Sequence, residues 1–99
     1  MTIALIVFRA KPGQGAALVA FLRDNQPKLL GFRGFRAIQL LRDEHDPDRV
    51  IELEEWDSAA DHQAMVAAVG EAGGWDALDA LVASEPEATY LSTIATLRV

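Results

Sequence analysis

Arg42, Asp43, Glu44, His45, Asp46, Pro47 and Asp48, then Arg49 to Trp56, then Asp57 and Ser58, form the stretch RDEHDPDRVIELEEWDS. It reads as a strand end, an acidic turn, a second strand and the start of a helix. Val50, Ile51 and Leu53 are β-formers interleaved with Glu52, Glu54 and Glu55, the alternation of a half-buried antiparallel strand. A period of two sets Glu52, Glu54 and Trp56 on one face of that strand. Two carboxylates and an indole do not make an ordinary hydrophobic core, so this face is either wet or lines a pocket.

Outward from this hairpin, the rest of the chain divides into strands and helices. Thr2 to Arg9 reads as a strand stopped by Pro12 and Gly13. From Gln14 to about Asn25, Leu18, Phe21 and Leu22 fall at helical spacing among alanines. Pro27, Gly31 and Gly34 mark an exit loop, and Phe35 to Arg42 is the strand that the acidic turn joins to the one ending at Trp56. Ser58 with Asp61 fits a helix N-cap, followed by the stripe Met65, Val66, Val69 and the breakers Gly70, Gly73 and Gly74. Trp75, Leu78, Leu81 and Val82 predict another helix running up to Pro86, and Tyr90 to Val99 predicts the last strand. The order strand, helix, strand, strand, helix, strand is the ferredoxin-like βαββαβ plan, an α+β fold with helices on one face of an antiparallel sheet.

Composition narrows the function classes. The chain has 99 residues, read as one domain over 1–99, and a formal charge of −6. Its arginines are scattered at Arg9, Arg23, Arg33, Arg36, Arg42, Arg49 and Arg98 rather than clustered as a nucleic-acid surface requires, so no nucleic-acid partner is expected. With no cysteine there is no disulfide, thiolate nucleophile or cysteine metal site, which accords with a cytoplasmic protein. The apolar run Ile3 to Phe8 is too short to cross a bilayer, and no membrane association is expected. Apolar residues make up 51% of the chain, and the plan leaves one sheet face without helices, so a homodimer is expected to cover it.

Taken together, the Lys11, Pro12, Gly13 turn, Gly31 to Phe35, the hairpin residues Arg42, Asp43, Asp46 and Pro47, and Glu54, Trp56, Ser58 and His62 resemble the antibiotic-biosynthesis monooxygenase superfamily of dimeric α+β barrels. The resemblance spans nearly the whole length. It implies a cofactor-independent monooxygenase acting on an electron-rich phenol, quinol or polyketide-type aromatic. The alternative is a small-molecule-binding or stress-associated barrel without catalysis. Trp56 matches the cavity-lining tryptophan of the family's cofactor-free oxygenases. Glu52 stands where those enzymes can carry asparagine, His62 where they can carry tyrosine, and Asp76 where they can carry arginine. For the haem-degrading branch, Ile6, Met65 and Trp75 fall near its asparagine, tryptophan and axial histidine, so no haem is expected, and neither flavin nor metal.

The candidate site is therefore His62 or Glu52 as proton acceptor and Trp56 as an orienting N–H donor, with Trp56, Glu54 and Met65 binding a small aromatic or hydrophobic ligand. His62 precedes Met65 and Val66 by three and four residues, which sets it on the helix stripe facing the sheet. The bland readings are a core indole, a satisfied histidine and exposed strand carboxylates. Two decoys are set aside. Gly13 and Gly15 suggest a dinucleotide loop, but Leu18 stands where its third glycine belongs. Asp43, Glu44, His45, Asp46 and Asp48 lack the central glycine of a calcium loop, and no second histidine lies near His45, so they read as a solvated turn.

Overall fold

The computed structural model describes residues 1–99. Strand β1 (Thr2–Arg9) leads through a turn into helix α1 (Gly15–Asn25), and a 3₁₀ segment (Gln26–Gly31) follows. Then come strand β2 (Phe35–Arg42), strand β3 (Arg49–Trp56), helix α2 (Ala59–Glu71), the single-turn helix α3 (Asp76–Asp79) and strand β4 (Glu87–Leu91). The four strands form one antiparallel sheet in the order β2-β3-β1-β4. The α+β ferredoxin-like plan read from the sequence is therefore the fold.

Alternation along β3 decides what lies under the helices. Val50, Glu52, Glu54 and Trp56 are buried, joined on β1 by Ala4, Ile6 and Phe8. Leu18 and Leu22 of α1, Met65 of α2 and Leu78 of α3 close the core over them. The opposite face carries Leu41, Ile51, Val7 and Glu87 in one cross-strand row, Gln39, Leu53, Leu5 and Thr89 in the next, and Ala37, Glu55, Ile3 and Leu91 in a third. No helix covers this largely apolar face, and Leu41 and Leu91 remain exposed.

The acidic turn has a structural task. Asp43 accepts from the backbone N–H groups of His45 and Asp46, and Asp46 accepts from that of Asp48. Asp48 reaches across to the β1–α1 turn, where its carboxylate accepts from Gly13 and Gly15 while its carbonyl accepts from Ala10. A side chain at Gly15 would strike the Pro47 carbonyl at 1.9 Å, so glycine is required for the two turns to meet. These carboxylates thus hold backbone donors, the work of Asx turns.

Two expected elements differ. The helix expected from Trp75 to Pro86 is only Asp76–Asp79, because the chain beyond it is captured by the end of β1: Lys11 donates to the Leu81 carbonyl and Ala83 to that of Arg9, with Val82 bridging to Ala10. The last strand runs over Glu87–Leu91 rather than Tyr90–Val99, in register with Ile3–Val7 of β1, which lets Glu87–Ala88 pair and leaves the residues after Leu91 without a partner strand. Residues 92–99 form no regular element, and Ile94, Leu97 and Val99 are fully exposed.

Helix α2 starts as the sequence indicated. Ser58 Oγ accepts from the Asp61 N–H at 3.1 Å while its hydroxyl donates to Asp61 Oδ2 at 3.0 Å. Because His62 directly follows Asp61, in the first turns after this cap, the cap sets where the imidazole enters the core. Ser58→Ala should lower stability by about 1 kcal/mol, read as a lower urea midpoint with unchanged slope.

Candidate functional site

Three ionisable side chains lie less than a tenth exposed on the helix-facing side of the sheet: Glu52 at 7%, Glu54 at 3% and His62 at 4%. The sheet register explains their meeting. Glu52 lies between Leu40 and Ile6, and Glu54 between Ile38 and Ala4, with Tyr90 on the far side of Ala4. Ala4 is the smallest residue in that row, and the room it leaves lets α2 lower His62 between Glu54 and Tyr90. His62 Nδ1 is 2.7 Å from the Tyr90 hydroxyl, and Nε2 is 3.9 Å from Glu54 Oε1. The same Glu54 oxygen accepts the indole N–H of Trp56 at 2.9 Å. Phe35, Trp56, His62 and Tyr90 stack edge to face in succession, with ring centroids 5.4–5.6 Å apart.

Beside this cluster lies a cavity of about 450 Å³, the size that encloses a small organic ligand. Glu52, Glu54 and His62 form its polar wall. Phe21, Leu29, Phe32, Met65, Val69 and Leu78 supply apolar surface, while the exposed Lys28, Asp79 and Glu85 border it toward solvent.

The site residues expected from the sequence divide accordingly. Glu52, Glu54, His62 and Met65 converge on the cavity. Trp56 does not line it: the indole is wholly buried and its N–H is committed to Glu54, so it stands behind the wall and orients the carboxylate. Glu52 is also not free to accept a proton at neutral pH. Burial above all, then the charge of Glu54 and a hydrogen bond with it, push the Glu52 pKa up to about 9, which makes this group a proton donor. Burial lowers the His62 pKa, with the Glu54 charge opposing, so the imidazole is neutral near pH 7.

Tyr90 was not distinguished by the sequence reading, which counted it as one β-former among several. The available signal was its singularity, for it is the only tyrosine in the chain. Burial raises its pKa, the Gln63 side chain opposes that, and Glu54 adds to it, so the phenol keeps its proton.

Raising Glu52 from its ordinary 4.5 to about 9 makes folding take up a proton between those values, so stability falls as pH climbs through this window. Glu52→Gln keeps the shape and removes that uptake. Relative to the wild type, the variant should gain up to about 1.4 kcal/mol per pH unit between pH 5 and 8. Urea unfolding at three pH values checks this, and parallel curves would show a carboxyl that is ionised in the fold.

Comparison with known proteins agrees with this architecture. The antibiotic biosynthesis monooxygenase family matches residues 1–68, the span that includes Glu52, Glu54, Trp56, His62 and Met65 but stops before Tyr90. No curated protein matches the sequence. Among solved structures, a Bordetella bronchiseptica protein ascribed to antibiotic biosynthesis monooxygenases superposes with a TM-score of 0.82 at 20% identity, covering 95% of this chain and 98% of its own. One from Deinococcus radiodurans gives 0.79 at 20% identity, with 100% and 98% covered. A variant of SnoaB, a cofactor-independent oxygenase from Streptomyces nogalater, gives 0.79 at 19% identity, with 97% and 95% covered. At these identities the shared feature is the fold. By the family match, which takes in more than two thirds of its length, the chain belongs to the antibiotic biosynthesis monooxygenase family.

Proposed function

We propose that the protein is a cofactor-independent monooxygenase of an electron-rich aromatic, a phenol, a quinol or a polyketide-type ring. The carrying observation is the wall of Glu52, Glu54 and His62, each at most 7% exposed, against an otherwise apolar cavity. Burying three ionisable groups together costs several kcal/mol that an apolar wall of the same volume avoids. Such an expense is characteristic of sites that move protons.

The chemistry these groups support needs no electron carrier. The Glu54–His62 pair takes the hydroxyl proton, and the ionised ring then supplies an electron pair to dioxygen, forming a carbon–oxygen bond at a ring carbon that bears hydrogen. The oxygen–oxygen bond of the resulting hydroperoxide breaks as its outer oxygen leaves in water, a departure that protonated Glu52 assists. One phenol and one O₂ give one quinone and one water. Met65 and its apolar neighbours hold the ring and exclude solvent. Trp56 keeps Glu54 in place from behind.

A second reading, a binding barrel without turnover, has its own supporting observation. Glu54 Oε1 and His62 Nδ1 already have protein partners, so the polar wall is partly self-satisfied. Oxygen consumption with a panel of hydroquinones and naphthols separates the two. The oxygenase should consume one O₂ per quinone formed. Glu54→Gln should slow turnover by on the order of 10²–10⁴ while leaving the fold intact. If the wild type consumes no oxygen with any aromatic that binds, the non-catalytic reading replaces this one.

The protein is further proposed to act as a homodimer closed over the helix-free sheet face, where Leu5 and Leu53 are cross-strand partners at the centre. Light scattering should give about 22 kDa, twice the 10.8 kDa chain. Leu53→Glu puts a charge at that centre and should yield the single-chain mass. A wild type that stays at the chain mass would remove the dimer.

A further inference from the structure

We propose that Tyr90 is a positioning residue that donates its hydroxyl hydrogen to His62 Nδ1 and thereby fixes the imidazole with its proton on Nε2, toward Glu54 and the cavity. The inference rests on the oxygenase reading only for what the tautomer does, not for its existence. Two observations carry it. His62 Nε2 lies 3.9 Å from Glu54 Oε1, so a lone pair there would face a carboxylate oxygen, whereas an N–H is attracted to it. The Tyr90 hydroxyl lies 2.7 Å from Nδ1, the ring nitrogen that is left without a hydrogen once Nε2 carries it. At that distance one hydrogen must lie between the two atoms, and the hydroxyl supplies it.

The consequence is a division of labour within the wall. Nε2 is beyond hydrogen-bond length of Glu54, so its hydrogen remains available to a ligand oxygen. His62 then acts as a hydrogen-bond donor where negative charge develops, and Glu54 is the group with lone pairs to take a proton. The arrangement crosses three elements: His62 on α2, Tyr90 on β4 and Glu54 on β3. β4 thus contributes to the site a residue that never touches the cavity.

The test is nitrogen NMR of the full-length protein labelled with ¹⁵N-histidine. The chain has only two histidines, and His45 lies in an exposed turn, so His45→Gln assigns the spectrum. In the wild type near pH 8, His62 should show the Nε2–H pattern as its dominant form. Tyr90→Phe keeps the ring and removes the donor, so the Nδ1–H form should rise. A neutral hydrogen bond biases such an equilibrium by roughly fivefold. A wild type that is mainly Nδ1–H, or a Tyr90→Phe spectrum identical to wild type, would overturn the assignment. Absence of oxygen consumption would leave the tautomer result standing and sink only the oxygenase reading.

Discussion

The indole N–H of Trp56 held on Glu54 is the contact on which the site depends. Strand β3 sends two glutamates inward two residues apart, and two like charges so close and so dry cannot both persist. The structure resolves the conflict by unequal surroundings. Glu54 has the indole N–H on one oxygen and an imidazole nearby, whereas Glu52 has no charged partner other than Glu54 itself. Burial and that neighbour therefore keep a proton on Glu52. A carboxyl that keeps its proton beside a second one whose oxygens accept hydrogen bonds is what allows one wall to offer both a donor and an acceptor.

Precision in this wall comes from elements with no chemistry of their own. The Ser58 cap, bonded to Asp61, fixes the phase at which α2 begins and so places His62, the residue after Asp61, above the sheet. Ala4 leaves space for the ring, and Met65, one turn on, anchors the helix in the core. At the other end of the sheet, Asp48 clamps the β2–β3 hairpin onto the turn that starts α1. Since α1 and the segment after it bring Phe21, Leu29 and Phe32 to the cavity, a carboxylate far from the acid pair helps to set the cavity's shape.

Local pattern made much of this legible. Period-two alternation in Arg49–Trp56 gave the shared face of Glu52, Glu54 and Trp56, and the Ser58–Asp61 pair gave the start of α2. What stayed hidden depended on partners far away in sequence. The Trp75–Val82 stripe has helical spacing, but backbone bonds to Arg9 and Lys11 outcompete helix continuation. The extent of β4 is set by its register with β1. Tyr90 gains its meaning from a histidine 28 residues earlier, and no periodicity reports such a meeting. The indole was legible as part of the face, but not that its N–H would be consumed inside the wall rather than offered to a ligand.

Register ties the site to the rest of the molecule. Each residue of β3 belongs to one of two surfaces: Val50, Glu52, Glu54 and Trp56 face the helices, and Ile51, Leu53 and Glu55 face the uncovered side. A slip of one residue against β1 would drive Leu53 and Glu55 under the helices and expel both acids together with the indole. The two ends of the strand oppose such a slip. Arg49 is held at the turn that Asp43 organises, and the Asp57 N–H after Trp56 is held by the Gly34 carbonyl, at a glycine whose φ of +83° only a residue without a side chain adopts readily. The same pinning that keeps Glu54 under Trp56 and beside His62 therefore keeps Leu53 beside Leu5 on the outer face, and the polar wall and the apolar face are specified by a single choice of pairing.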